Sequence, residues 1–186
     1  MNKNSLKNIA SQVIDLEINA LKILKKSVDK NFDKAVNTIV NCQSKIILCG
    51  VGKSGLIAAK IASTLSSVGS PAFSLSANDC LHGDLGSITR KDVLILISNS
   101  GKSEEIIPII KFANRNKIKL IGIVSKKNSF LYKGSDIKIL LPEVKESGLG
   151  VVPTSSTSIQ LAIGDALAIA SLKKKQFSKY DFSRLH

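Results

Sequence analysis

The stretch Lys45-Ile46-Ile47-Leu48-Cys49-Gly50-Val51-Gly52-Lys53-Ser54-Gly55 decides how the rest of the chain is read. Its first five residues form a short apolar run without alternation, the pattern of a strand buried on both faces of a parallel sheet. Gly50 ends the run. A helical stretch follows over about residues 54–67, closed by Gly69 and Pro71. In a strand–glycine turn–helix unit the glycines let backbone approach an anion, and the first turn of the helix offers free N–H groups to hold it. Gly50-x-Gly52-x-x-Gly55 has dinucleotide spacing, and Gly52-Lys53-Ser54 resembles the end of a triphosphate-binding loop. The triphosphate motif asks for glycine where Ile47 stands, so that reading fails. A dinucleotide site, a different anion site and a plain glycine turn all stay open on this loop alone.

The same alternation continues toward the C-terminus. Residues 93–97 read as a strand, 103–114 as a helix, 120–124 as a strand, 129–133 as a short helix and 137–141 as a further strand, with a weaker strand at 71–75. Apolar strands alternating with helices predict an α/β fold, a three-layer αβα sandwich around a mostly parallel sheet of about five strands. Toward the N-terminus, residues 5–41 carry helical periodicity through Leu6, Ile9, Val13, Leu16, Leu21, Leu24, Val28 and Phe32, and predict two helices. A long apolar helix over about residues 156–173 has the breadth of apolar surface that burial on several sides requires. With no internal repeat and no linker, residues 1–186 are expected to form one domain, with the helices of about residues 1–41 packed onto it.

Composition narrows the function. Hydrophobic residues make up 44% of the 186 residues and charged residues 22%, which is globular composition. Aromatics are only 4%, with no Trp, which argues against stacking platforms for single-stranded nucleic acid. The net charge of +13 is spread through the chain, with Lys173-Lys174-Lys175 as the single triplet and no nucleic-acid motif, so no nucleic-acid partner is expected. Such a field still draws phosphorylated metabolites. Cys42, Cys49 and Cys80 are odd in number and lack CxxC spacing; reduced thiols in a cytoplasmic protein fit better than a disulfide framework or zinc cluster. Asp15 and Glu17 interrupt the N-terminal apolar positions, so neither signal peptide nor membrane span is expected there.

In sheets of this kind ligands sit at the carboxyl ends of the strands. The loops there include Gly50–Gly55 and Ser98-Asn99-Ser100-Gly101-Lys102-Ser103. Ser98, Ser100 and Ser103 before a helix form a small, donor-rich cup, suited to one phosphate monoester rather than a pyrophosphate. Ser103 alone is also explained as a helix cap; Ser98 and Ser100 are not.

Five motifs now stand in order: Gly50–Gly55, His82-Gly83-Asp84-Leu85-Gly86, Ser98-Asn99-Ser100-Gly101, Pro153-Thr154-Ser155-Ser156-Thr157 and Gly164-Asp165-Ala166-Leu167-Ala168. Together they resemble the sugar isomerase (SIS) domain, and within it the D-arabinose 5-phosphate isomerases, from about residue 40 to 186. The resemblance implies interconversion of D-ribulose 5-phosphate and D-arabinose 5-phosphate through an enediol, feeding Kdo and lipopolysaccharide biosynthesis. It implies a catalytic set of Lys53, Glu105, Glu146 and His186. Glu146, before Glu105, is the expected base; Lys53 polarises the carbonyl or holds phosphate; His186 assists ring opening or proton transfer. Substrate contacts are expected from Gly52, Ser54, Gly69, Ser70, His82, Ser98, Asn99, Ser100, Ser103, Ser155 and Ser156. An enediol route requires no redox cofactor or metal, and none is expected. Asp165 reads as a structural acid.

Three departures accompany the resemblance. Ser76 stands where these isomerases commonly carry a histidine that takes inhibitory zinc, so no metal is expected there. Lys102 replaces a usual Glu. The chain stops at His186, without the regulatory CBS pair that often follows. A homotetramer is expected by resemblance. Three rivals remain: a nicotinamide-dependent oxidoreductase using the first loop, a non-catalytic sugar-phosphate sensor, and an isomerase of another phosphosugar.

Overall fold

The computed structural model of the chain describes residues 5–185. Among them, strands β1 (Ile46–Gly50), β2 (Ala72–Ser76), β3 (Val93–Ser98), β4 (Lys119–Val124) and β5 (Ile137–Leu140) form one sheet in the order β2-β1-β3-β4-β5. All neighbouring pairs are parallel. The expected α/β sandwich is therefore present, and its sheet is parallel throughout. β1, β3 and β4 lie inside the sheet and are buried almost end to end, which is why they appear in sequence as unbroken apolar runs. β2 and β5 are edges, and their burial alternates or thins.

Successive strand residues point to opposite faces, so each strand feeds two cores. Ile46, Leu48, Val93, Ile95 and Ile97 face helices α1 (Leu6–Ser27), α2 (Lys30–Val40), α3 (Lys53–Ser67) and α7 (Ser155–Lys174). Ile47, Cys49, Leu94 and Leu96 face α4 (Ala77–Cys80), α5 (Ile106–Arg115) and α6 (Phe130–Gly134). A last short helix, α8 (Lys179–Ser183), closes on a reciprocal capping box between Ser178 and Asp181. The two N-terminal helices part at Val28, because Asp29 caps the second through its carboxylate on the Asn31 N–H at 2.8 Å. α7 is the broadly apolar helix of the sequence: it packs against α3, α1 and α2 together.

The chain runs from β1 outward to β2, then returns past β1 to begin β3. That reversal opens a crevice between the carboxyl ends of β1 and β3, where ligands of doubly wound sheets bind. Gly50 pairs with Ile97, so the loops after the two strands leave the sheet side by side. The helix expected from residue 103 starts at Ile106, because residues 103–105 form a turn in which Ser103 O accepts the Ile106 N–H.

Candidate functional site

The first loop reaches the crevice because its glycines permit it. A Cβ on Gly55 would lie 2.8 Å from Gly50 O, so strand end and helix start press backbone against backbone. Gly52 sits at φ +56°, a left-handed conformation that costs a residue with a Cβ. This tight turn sets Lys53, exposed, as the first residue of α3, and turns the half-buried Ser54 toward α7, where its hydroxyl donates to Gln160 Oε1 at 3.2 Å. Between the loops lies a hollow of about 160 Å³ lined by Val51, Lys53, Ser54, Asn99, Pro153, Ser156, Thr157 and Gln160.

The serine loop forms the opposite wall. Ser98 is buried beneath it and its Oγ accepts the Gly101 N–H at 3.0 Å; Ser100 is exposed and its Oγ accepts the Lys102 N–H at 3.3 Å. Each hydroxyl thereby keeps its proton for donation elsewhere. Asn99 faces the Lys53 hollow, with its Oδ1 held by the Ser125 hydroxyl at 2.7 Å. Ser100 faces a second, wider groove of about 660 Å³, rimmed by Lys102, Lys126 and Lys127. The loop is thus a wall between a small hollow and a basic groove. Ser103 is half-buried in the turn ahead of α5, where the capping position falls to Glu105, also half-buried and making no capping hydrogen bond with its side chain.

Behind the hollow stands Glu146. Its Oε2 accepts the Thr154 N–H at 2.8 Å, the Thr154 hydroxyl at 3.0 Å and the Ser156 N–H at 3.3 Å. The carboxylate therefore closes the amino end of α7, where negative charge is favoured. Burial pushes its carboxyl up, but the Ser156 hydroxyl and the Thr154 and Ser156 amides outweigh burial and hold it below the ordinary 4.5. Ser156 thus gives its N–H to Glu146 while lining the hollow. Ser155, beside it, is fully buried, and its Oγ bonds to no described residue.

Other expected residues lie elsewhere. Gly69 and Ser70 follow α3 and precede β2, so they sit at the amino end of the sheet, opposite the Lys53 hollow. Ser70 is buried and bonds Lys175 Nζ at 2.8 Å, while a Cβ on Gly69 would strike the Phe177 ring at 2.4 Å. Gly69 borders a cavity of about 450 Å³ with Asp181, Arg184 and Leu185. His82 is exposed in the turn after α4 and does not line the hollow. His186 lies outside the described residues. Ser76 caps α4 through the Asp79 N–H, and Asp165 pairs with Lys60 between α7 and α3. Sequence reasoning missed Val51, Thr154, Thr157 and Gln160. Gln160 carried a signal: it is the one amide on an otherwise small or apolar face of α7, buried to 1% exposure.

The chain is similar in sequence and fold to known proteins. The SIS domain family model matches residues 39–170. A Francisella tularensis protein named arabinose 5-phosphate isomerase KdsD is 44% identical over 183 residues, covering 96% of this chain and 56% of its own length. The Yersinia pestis protein of that name is 41% identical over 176 residues, covering 94% of this chain and 54% of its own. The chain spans little more than half the length of the curated relatives it matches. A solved structure of an E. coli CFT073 protein in complex with arabinose 5-phosphate superposes with a TM-score of 0.94 at 34% identity, covering 100% of both chains.

Proposed function

The chain belongs to the SIS domain family, and from that premise we propose that it is an aldose–ketose isomerase interconverting D-arabinose 5-phosphate and D-ribulose 5-phosphate. The observation that carries this reading is the hollow between the β1 and β3 loops, with an ammonium group at its rim and an ionised carboxylate in the wall behind it. The identities to proteins named arabinose 5-phosphate isomerase support the choice of pentose phosphate.

On this reading the phosphate rests on the loop of Ser98, Asn99, Ser100 and Ser103, with Gly52 and Ser54 opposite, and the sugar runs past Ser156, with the buried Ser155 behind it, toward Glu146. Glu146 takes the proton from C2 of the open-chain aldose. The C–H electron pair becomes the C1–C2 double bond, and the carbonyl oxygen gains a proton, giving the enediol. Return of the carbon-bound proton to C1 and loss of the C2 hydroxyl proton give the ketose. A carboxylate held low is a weak base, so the C–H must be acidified by polarising the carbonyl, the task assigned to Lys53. Glu105 and His186 complete the catalytic set, with His186 aiding ring opening, and His82 contacts sugar oxygens. The product serves Kdo and lipopolysaccharide synthesis in the cytoplasm.

Residues 69–70 cannot join the hollow of their own chain. We assign them, with His82, to the site of a neighbouring copy in a homotetramer. The exposed apolar side chains of α1, among them Leu6, Ile9, Ile14 and Ile18, supply surface for such an assembly.

The test is incubation of the 186-residue chain with arabinose 5-phosphate while ribulose 5-phosphate is assayed. Lys53→Ala and Glu146→Gln are expected to lower turnover by about 100-fold or more with sugar binding retained. Binding without turnover by the unaltered chain would leave a sensor. Full turnover by Glu146→Gln would remove it as the base.

A further inference from the structure

We propose that Thr154 is a positioning residue for the reaction, whose hydroxyl fixes the Glu146 carboxylate and leaves Oε1 as the oxygen that meets substrate. The inference rests on Glu146 being the base. Three hydrogen bonds converge on Oε2, two of them from Thr154 alone, at 2.8 Å from its N–H and 3.0 Å from its hydroxyl. The hydroxyl has one proton, and its direction is set: Oγ1 accepts the Ser147 N–H at 3.0 Å, so the proton is free to point at Glu146. Amide, hydroxyl and carboxylate form a short chain in which each bond polarises the next.

That chain also closes a ring. Residues 147–154 leave Glu146 and return to it through a loop with Gly148 and Gly150 at positive φ and with Leu149, Val151 and Val152 exposed. The bonds at the neck of this loop keep the carboxylate at one angle to the hollow. The Thr154 carbonyl is equally committed, accepting the Thr157 hydroxyl at 2.8 Å and the Ser158 N–H at 3.0 Å in the first turn of α7. Thr154 therefore couples the base to a helix rather than to the exposed part of its own loop.

Titratable and charged groups reach this end of the sheet from every neighbouring segment. Glu143, paired with Lys126, and Lys145 stand in the stretch before Glu146. Lys53 heads α3, Lys102, Glu104 and Glu105 precede α5, Lys127 follows β4, and Asp79, His82 and Asp84 follow β2; α7 carries none before Asp165. Removing a donor to the ionised form raises a carboxyl pKa. In Thr154→Val, which keeps shape and N–H but loses the hydroxyl, the Glu146 carboxyl should titrate higher. The acid limb of kcat/KM should move up with it, since the base must be ionised to act. Turnover should fall about tenfold with KM within about twofold. Thr154→Ser should restore both.

The experiment is a carbon-13 NMR titration of glutamate carboxyls in the full chain, with Glu146 identified by the signal that Glu146→Gln lacks, alongside pH–rate profiles. Should Thr154→Val lose its fold by circular dichroism, Thr154→Ala is titrated in its place. An unmoved Glu146 titration overturns the proposal, as does a raised titration beside an unmoved acid limb. If the unaltered chain turns over no pentose phosphate, the isomerase reading fails, and the titration still decides whether Thr154 holds Glu146.

Discussion

Asp92 shows how a single side chain ties two strands at the end of the sheet away from the site. Its carboxylate, fully buried, accepts the Lys45 N–H at 3.2 Å, Lys45 Nζ at 3.3 Å, the Thr89 N–H at 2.6 Å and the Thr89 hydroxyl at 2.9 Å, joining the starts of β1 and β3. Burial pushes this carboxyl up, but hydrogen bonds from Thr89, Ser44 and Lys45 outweigh it and hold it below the ordinary 3.8. A carboxyl depressed on folding stabilises the protein above its unfolded value and loses that contribution as pH falls through the folded one. Asp92→Asn is therefore expected to cost about 1.5–3 kcal/mol near neutral pH, and the difference from the unaltered chain should shrink below the ordinary 3.8. Urea unfolding at a series of pH values checks this; a difference independent of pH would contradict it. The residue scale is also where the sequence is least legible. Ser98, Ser100 and Ser103 are visible as a cluster, but spacing cannot say that Ser98 lies under its loop, or that Ser156 gives its N–H to Glu146. The second depends on a carboxylate ten residues earlier in the chain.

α3 and α7 press together at a glycine. A Cβ on Gly164 would lie 2.1 Å from Ile61 Cδ1, and Ile61 is itself buried. Gly164→Ala should force the two helices apart and cost about 1–3 kcal/mol, read as a lowered urea midpoint. An unchanged midpoint would mean that Ile61 adopts another rotamer without strain. Because α3 carries Lys53 and α7 carries Ser156, the substitution should also loosen the hollow between them. Elements of this size are largely legible in the sequence. The three interior strands are apolar runs, and α1, α2, α3, α5 and α7 are long enough to show period or breadth. α4 and α8, of four and five residues, show neither, and sequence reading passes over them. Residues 103–105 read as helix in sequence because composition cannot separate a turn from the first turn of a helix.

At the scale of the whole molecule, the chain divides its expected site between two ends. Lys53, the serine loop and Glu146 gather at the carboxyl ends of β1 and β3; Gly69 and Ser70 stand at the other end of the sheet. This division is legible in principle, since any segment between a helix and the next parallel strand must lie at the amino end. The five-motif resemblance groups these residues by function and passes over their topology. On the proposed reading a single chain offers an incomplete site, and the Ser98–Gly101 wall leaves two hollows that could take the phosphate. A crystal structure of the chain with arabinose 5-phosphate would decide whether the loops after β1 and β3 hold the sugar. The phosphate is expected within about 3 Å of the Ser98–Ser103 loop, the sugar crossing the Lys53 hollow toward Glu146, and residues 69–70 of another copy nearby. A phosphate bound only among Lys102, Lys126 and Lys127, with the Lys53 hollow empty, would contradict it.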